Sequence, residues 1–305
     1  MINIVGKRLW FLLVLWVVIL FGVIPLAIFG LKPGVEFTSG SVLTVKFEQT
    51  VTESDLKQEV IGTGYPEAII QQTGGGTFLI RTKELTGEEK TALESALTTR
   101  FGALTETEFD SVSPLVAMET TRNTVIAIGI ACVGMALYIA LAFRKMPNPF
   151  RCGTCAVIGL VHDILIPIGV FSILGRTLGW QINLMFITGI LAVVGYSINN
   201  NVVVFDRIRE NLRKGISRDF ATVVNHSVVE TLSRCFNTSL TTILTVLALL
   251  LFVGASIQNF AVVLLIGIIA GTFSSTCIAP NLLIIWEKGE WGGLFRRRPL
   301  PAKSQ

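Results

Sequence analysis

The run LWFLLVLWVVILFGVIPLAIFGL, residues 9–31, decides the class of fold, because it has 23 residues and no charged side chain. A helix of this length is about 34 Å long, enough to cross the roughly 30 Å hydrocarbon core of a bilayer. The rest of the chain has the same character: 51% of its 305 residues are apolar, 15% are charged, and the mean hydropathy is +0.66. Soluble proteins carry about 25% charged residues. The sequence therefore predicts an integral membrane protein.

Further apolar runs predict five more spans. They cover residues 123–143, 152–175, 177–205 and 235–286, and only the second contains ionisable groups, His162 and Asp163. The last run has 52 residues, too many for one span and enough for two. The stretch GASIQN, residues 254–259, is the natural turn between them. We therefore expect six membrane-spanning helices.

The basic residues predict the orientation. With the N-terminus inside, the cytosolic segments contain 16 of the 25 lysines and arginines, as the positive-inside rule requires of short loops. The segment 32–121 has a net charge of −7 and is long enough to cross the membrane regardless. The predicted organisation, with cytosolic N- and C-termini, is a tail and first span (1–31), an extracytoplasmic domain (32–121), spans two to six (122–286) with a cytosolic loop (206–236), and a basic cytosolic tail (287–305).

The first span has one alternative interpretation, a cleaved signal peptide. Its basic start fits that interpretation. Its apolar run, however, exceeds the ~7–15 residues of a signal peptide, and no A-x-A cleavage site follows it. A retained helix is the better prediction.

The extracytoplasmic segment has the pattern of a small α+β domain. Residues 41–47 alternate like a strand, and residues 67–71, 78–82 and 105–112 are further strand candidates. Capping boxes at Thr52–Asp55 and Thr86–Glu89 open two helices. The order strand-helix-strand-strand-helix-strand predicts a ferredoxin-like domain. It contains no histidine or cysteine, which argues for a binding or mechanical role and against an enzyme.

The third span contains GLVHDILIPIG, residues 159–169, with a histidine and an aspartate in its middle. A carboxylate at the centre of a span costs at least ~2.5–3.5 kcal/mol, and groups at that depth mark ion or proton paths. We expect Asp163 to bind and release a proton, with helix packing as the alternative. His162 lies about 100° round the helix and could pass protons or be structural.

Three consecutive amides, Asn199, Asn200 and Asn201, follow in the fourth span. They could line the same polar path as Asp163 or hydrogen-bond between helices, and both interpretations stay open. Arg207 most simply belongs to a charge cluster that ends the span, although it could also extend toward an internal carboxylate. Small residues that allow close helix approach precede the amides: Gly189, Ala192 and Gly195.

The segment 206–236 is basic and partly amphipathic. Its apolar face could lie along the anionic inner leaflet or bind a partner. This face comprises Phe220, Val223, Val224 and Val228. The basic triplet 296–298 is interpreted as a topology anchor and not as a nucleic-acid site.

Cys152 and Cys155 form a C-x-x-C motif. Without a second pair a zinc ion lacks its four ligands, so we predict no metal and no disulfide.

Five segments resemble the SecF family. They are GVEFTSGSVLTV (34–45), VSPLVAMETTRN (112–123), VHDILI (161–166), GYSINNNVVVFDRIRENLRK (195–214) and TLSRCFNTSLTT (231–242). Together they cover nearly the whole chain in order. The family belongs to the RND superfamily, whose half-unit is one span, a large extracytoplasmic domain and five further spans, the layout predicted above.

This resemblance implies a function in bacterial protein export. SecF is the smaller membrane subunit of the SecD–SecF complex in the cytoplasmic (inner) membrane. The implied partners are SecD, the SecYEG channel, translocating preproteins and membrane lipids. The proton gradient would be the energy source, with protons as coupling ion and no other cofactor. Asp163 falls on the family's intramembrane acid, proposed to carry the proton.

The chain also departs from the family pattern. Asn200 stands where the family commonly has an aspartate, so a relay of several carboxylates would need residues of SecD. Glu36 and Ser39 replace the more usual Asp and Gly. Two other functions stay open: an efflux half-transporter of the same superfamily, for which ninety extracytoplasmic residues are few, and a passive scaffold in which Asp163 only packs helices.

Overall fold

The computed structural model describes residues 4–73, 76–146, 148–252 and 257–289. The chain divides into two compact units, a helix bundle (residues 1–30, 129–176 and 185–305) and an α/β unit (residues 31–128 and 177–184). The elements follow in the order α1 (Arg8–Phe29), α2 (Val35–Thr38), β1 (Gly40–Phe47), α3 (Glu53–Gly62), β2 (Ile69–Thr73), β3 (Thr77–Thr82), α4 (Gly87–Phe101), β4 (Leu104–Val112), α5 (Pro114–Phe143), α6 (Pro149–Thr177), α7 (Leu184–Lys214), α8 (Phe220–Phe252), α9 (Gln258–Phe273), a π-helical turn (Ser274–Ile278) and α10 (Ala279–Glu287).

Six helical stretches are long and apolar enough to cross a membrane, which confirms the six predicted spans. The last of them, Gln258–Glu287, joins α9, the π-helical turn and α10. The predicted turn at 254–259 falls between α8 and α9, and its residues 254–256 lie outside the described residues.

The fourth span begins later than its apolar run. The run starts at residue 177, whereas α7 starts at Leu184. Residues 177–184 instead belong to the α/β unit, where the Ile182 N–H donates to the Lys32 carbonyl and the Gly34 N–H to the Ile182 carbonyl, both at 2.8 Å. The apolar run by itself does not reveal that its first residues hydrogen-bond to the segment that follows α1.

The segment 206–236 is mostly helical and not a loop. α7 continues to Lys214, and α8 begins at Phe220 after Asp219, whose carboxylate accepts from the Thr222 N–H at 3.0 Å. The expected apolar surface is therefore wrong: Val223, Val224 and Val228 are fully buried in the bundle core, because their spacing continues the inward face of α8. These valines are not available to the lipid leaflet or to a partner.

The α/β unit has the predicted ferredoxin-like topology. Its four strands lie in the order β2-β3-β1-β4, and each neighbouring pair is antiparallel. Thr86 and Glu89 form the reciprocal capping box, while Thr52 caps α3 by accepting from the Asp55 N–H at 3.2 Å. The apolar core is made by Leu43, Val45 and Phe47 of β1, Phe78 and Ile80 of β3, and Leu56, Val60, Leu93 and Leu97 of the two helices.

The turn that leads into β1 carries a strained residue. Ser39 has φ 62° and ψ 166°, a region that is essentially restricted to glycine. The next residue, Gly40, has φ 118°, and a Cβ there would lie 2.6 Å from the Thr82 carbonyl oxygen. Arg81 holds this turn by donating to the Pro33 carbonyl at 3.3 Å and to the Thr38 hydroxyl. The serine that departs from the family pattern therefore occupies a position suited to glycine.

Candidate functional site: a buried carboxylate between three helices

Asp163 is the centre of the candidate site. It is the middle residue of α6, and its side chain is fully buried. Oδ2 accepts hydrogen bonds from the Ser197 hydroxyl of α7 at 2.5 Å and from the Ser274 hydroxyl of the π-helical turn at 2.7 Å. Because burial of a carboxylate is costly without hydrogen bonds, these two hydroxyls are what make this position tolerable for a charge.

His162 completes the site. Its Nδ1 lies 2.9 Å from Asp163 Oδ1, so the two neighbouring side chains meet although the helix directs them about 100° apart. An ionised carboxylate only accepts, so Nδ1 carries the hydrogen when Asp163 is charged. The opposite nitrogen, Nε2, is buried and has no hydrogen-bond partner within the described residues.

Small residues bring the three helices close enough for these contacts. A Cβ on Gly271 would lie 3.4 Å from both Asp163 Oδ2 and Ser197 Cβ, and a Cβ on Gly267 would lie 2.1 Å from Val193 Cγ2. Gly189, predicted as a close-contact residue, packs in the same way: its Cβ would lie 2.9 Å from Val263. Gly195 has nothing within 4 Å of such a Cβ and makes no close approach.

The π-helical turn places the second hydroxyl. Such turns are rare and frequently occur at functional sites. Here the turn begins at Ser274, whose hydroxyl donates to Asp163. Its residues Ser275 and Thr276 bond back to carbonyls of their own helix. Ser274 thus bonds to the site while its neighbours do not.

The three consecutive amides occupy different environments. Asn199 is exposed on the bundle surface, whereas Asn200 and Asn201 are buried. Neither polar atom of the Asn201 side chain, nor Asn200 Nδ2, has a hydrogen-bond partner within the described residues. Asn201 lies one helical turn beyond Ser197 on α7. Asn281, seven residues beyond Ser274 in the last span, likewise has a buried and unpaired Oδ1.

Arg207 does not lie at the buried carboxylate. It is ten residues beyond Ser197 on α7, about 15 Å along the helix axis. Its guanidinium binds Glu230 through Nε at 2.7 Å and Nη2 at 2.9 Å, and Glu210 through Nη1 at 2.5 Å. Asn211 Nδ2 also donates to Glu230, at 2.7 Å. The expectation that Arg207 could extend toward an internal carboxylate is replaced by this charged cluster at the end of the helix.

Two residues at the site were not predicted. Ser197 and Ser274 lie within apolar spans, and hydroxyls in helices usually bond to their own backbone, so a serine in a span carries little signal. The polar run Thr272–Thr276 inside the last span was the one available hint. Cys152 and Cys155 are free and buried in the apolar core, and no group of three or more His, Cys, Asp or Glu in the described part of the chain could hold a metal ion.

Comparison with known proteins identifies the family. Residues 92–289 match the family described as protein export membrane protein SecD/SecF, C-terminal, and residues 26–51 match the SecD/SecF GG motif. The chain is 41% identical to the protein translocase subunit SecF of Thermobaculum terrenum, over 97% of this chain and 98% of that protein. It is 30% identical to the protein translocase subunit SecDF of Bacillus subtilis, over 93% of this chain and 38% of that protein.

A solved structure shows the same fold. The crystal structure of SecDF from Thermus thermophilus, a translocon-associated membrane protein, superimposes on 94% of this chain with a TM-score of 0.84 and 30% identity. The chain spans 39% of the length of that protein. The chain is therefore a multi-pass membrane protein that belongs to the SecD/SecF family of protein-export membrane proteins, as a SecF-type subunit of the protein translocase.

Proposed function

We propose that this subunit uses the proton gradient to promote protein export, and that Asp163 is the group that binds the proton. One observation carries the proposal: a fully buried carboxylate in the middle of a span, bonded by an imidazole and two hydroxyls from three different helical segments. No cationic residue of the described chain forms an ion pair with it, apart from the neighbouring imidazole if that is protonated. Without a fixed cation, Asp163 can change between the charged and neutral forms.

Protonation would change how the helices are held. A charged Asp163 accepts from Ser197 and Ser274 together. A protonated Asp163 carries a hydrogen that it can donate to His162 Nδ1 or to one of the two hydroxyls, so at least one of the three contacts reverses or is lost. The hydroxyls also lose a charged acceptor, whose hydrogen bonds are about twice as strong as neutral ones. Because Ser197 and Ser274 lie on different helical segments, the packing of α6, α7 and the last span responds to the protonation state.

The available energy limits the size of this response. One charge moved through 100 mV supplies about 2.3 kcal/mol. A hydrogen bond contributes a net ~0.5–1.5 kcal/mol. One proton can therefore rearrange the bonds around Asp163, whereas a large movement of the α/β unit would require several protons.

The unpaired amides support a polar route to the cytosol. In the predicted orientation, α7 and the last span both run from the outside to the inside. Asn201 is then about 6 Å, and Asn281 about 10 Å, to the cytosolic side of the hydroxyls that hold Asp163. Buried amides without partners are costly in an apolar bundle and are usually bonded to ordered water. We infer that Asn200, Asn201 and Asn281 line this route, and that Asn199 does not.

The proposed partners follow from the relatives. In the SecDF proteins a region similar to this chain is part of one longer polypeptide. We therefore propose that this chain assembles with SecD, acts beside the SecYEG channel on translocating preproteins, and lies in the bacterial inner membrane with both termini in the cytosol. It is not an enzyme in this scheme, and protons are its only coupling ion.

Asp163→Asn tests the proposal. Inverted membrane vesicles carrying the variant with SecD and SecYEG should lose the gradient-dependent part of preprotein export, while ATP-driven export without a gradient stays at the wild-type level. Glu230→Gln, which removes a carboxylate bound to Arg207, is the matched control and should keep the gradient effect. Wild-type export by Asp163→Asn vesicles under a full gradient would contradict the proton role. Loss of SecD co-purification would instead support the passive scaffold.

A further inference from the structure

An open groove lies within the α/β unit, between α2 and the first part of α5. Its volume is about 690 Å³, within the range of small-molecule sites. Apolar side chains form most of its wall, and the main ones are Phe37, Met118, Val125 and Ile126. Of these, Met118 and Val125 are about two-thirds exposed, so they are accessible to an apolar ligand in the groove.

One charged residue lines the groove, and it is unpaired. Arg122 is exposed and forms no hydrogen bond or ion pair within the described residues. Other arginines of the same unit are bound, for example Arg81 to the Pro33 carbonyl and Arg100 to Glu59 at 3.9 Å. Glu119 lies one turn away on α5, but the two do not form an ion pair. An unpaired guanidinium within an apolar wall is complementary to an amphiphile with an anionic group.

The length of α5 places this groove at a definite depth. The helix has 30 residues and is about 45 Å long, equal to the full bilayer with its headgroups. Its cytosolic end is set by Arg144 and Lys145, which follow Phe143. Arg122 then lies about 32 Å from that end, where the hydrocarbon core meets the outer headgroups. Val125 and Ile126 lie just inside the hydrocarbon, and Met118 lies at the headgroup level.

We propose that this groove binds one anionic phospholipid of the outer leaflet. Arg122 bonds the phosphate, Val125 and Ile126 contact the start of an acyl chain, and Phe37 and Met118 contact the headgroup beyond the phosphate. Hydroxyl groups of Ser39 and Thr121 also line the groove near this level. A peptide fits less well, because the residues that line the groove belong to α2, to the turn after it and to α5, so an extended chain finds no strand edge to pair with.

The test uses the full chain purified in detergent and a short-chain phosphatidylglycerol, with binding counted by native mass spectrometry. One molecule should bind, and phosphatidylcholine with the same acyl chains should bind several-fold more weakly because its choline cation offsets the phosphate. Glycerol phosphate should not bind, since it lacks acyl chains. Arg122→Gln should weaken phosphatidylglycerol binding about tenfold. Arg176→Gln, which removes a basic residue at the outer end of α6, is the matched control and should have no effect.

A second variant tests the groove without removing Arg122. Met118→Glu retains Arg122 but places a negative charge at the groove, and it should abolish binding. Wild-type affinity in Arg122→Gln, or equal binding of the two phospholipids, would overturn the proposal. Displacement of the lipid by an unfolded apolar peptide, with peptide binding that survives Arg122→Gln, would also overturn it and assign the groove to polypeptide.

Discussion

Two polar clusters, one packed against the middle of α7 and one at its C-terminal end, contain the same kinds of residue in opposite states. In the middle, Asp163 of α6 is bonded only by hydroxyls and an imidazole, and Asn201 has no hydrogen-bond partner within the described residues. At the C-terminal end, Glu230 of α8 is bound by the Arg207 guanidinium and by Asn211. Protonating Glu230 would remove one of the two carboxylates that bind Arg207, the other being Glu210, whereas protonating Asp163 leaves no fixed charge behind. The difference supports the proposal that Glu230 holds the bundle together and that Asp163 changes its charge.

The largest expected effect distinguishes the asparagines of the two clusters, Asn201 and Asn211. Asn201→Leu removes a buried amide that makes no hydrogen bond to the described protein, so it should change the stability of the purified chain by less than about 1 kcal/mol, while gradient-dependent export falls. Asn211→Leu is the matched variant. It removes bonds to Ser227 and Glu230 and should destabilise the chain by about 1–3 kcal/mol. Denaturant unfolding in detergent measures both, and an equal destabilisation by the two variants would show that Asn201 holds the bundle together as Asn211 does.

The next prediction concerns the backbone of the α/β unit. Ser39→Gly should stabilise the start of β1 by about 1–3 kcal/mol, because glycine adopts the observed φ and ψ without strain. Gly40→Ala should do the opposite, since its Cβ would lie against the Thr82 carbonyl oxygen. Hydrogen exchange of β1 amides in the full chain gives both free energies. Slower exchange in Gly40→Ala than in Ser39→Gly would refute the assignment of strain to Ser39.

The hydroxyls at Asp163 predict a change in pH dependence. Ser197→Ala or Ser274→Ala removes one of the two hydroxyls that donate to the Asp163 carboxylate, so proton binding there should change. The pH of half-maximal gradient-dependent export should therefore differ from that of the wild type. Ser227→Ala, near the Arg207–Glu230 pair, serves as the control and should leave the midpoint in place. An unchanged midpoint in both site variants would mean that Asp163 is not the titrating group.

The smallest expected effect involves an acid outside the membrane. Burial raises the pKa of Glu36, with Asp110 adding to the rise and Arg81 opposing it. A raised pKa in the folded state means that Glu36 contributes stability at low pH, and that this contribution is lost as pH rises through the folded value. Glu36→Gln should therefore reduce the loss of β1 protection between about pH 4 and pH 7, after correction for intrinsic exchange rates. Glu67→Gln, at an exposed position, should not.

Much of the fold follows from the sequence because its signals are local. Five apolar runs, the last long enough for two spans, predict six spans, and alternation with capping residues predicts the βαββαβ order of the α/β unit. The predictions failed where one local sequence pattern is compatible with two environments. The apolar valines of 206–236 could face lipid or the bundle core, and only packing shows that they face the core.

The candidate site was predictable in part for the same reason. Asp163 is conspicuous because a charge in a span is costly, and His162 lies next to it in the chain. Ser197, Ser274 and Asn281 are distant in sequence from Asp163, and a hydroxyl or amide costs less in a span than a charge does, so they gave little signal. Arg207 was considered as a partner for an internal acid, although Glu210 and Glu230 bind it.

Composition and periodicity by themselves determined that this chain crosses the membrane six times, carries a ferredoxin-like domain after the first span, and contains one acid at the middle of a span. These properties depend on the free-energy cost of placing each residue in lipid or water. That cost depends mainly on the type of residue and little on its neighbours in the fold. Tertiary structure alone decided which hydroxyls reach Asp163, which amides are left unpaired, and that Arg207 binds Glu230. Those contacts join residues from different helices, and they depend on how closely glycines such as Gly267 and Gly271 allow the helices to pack.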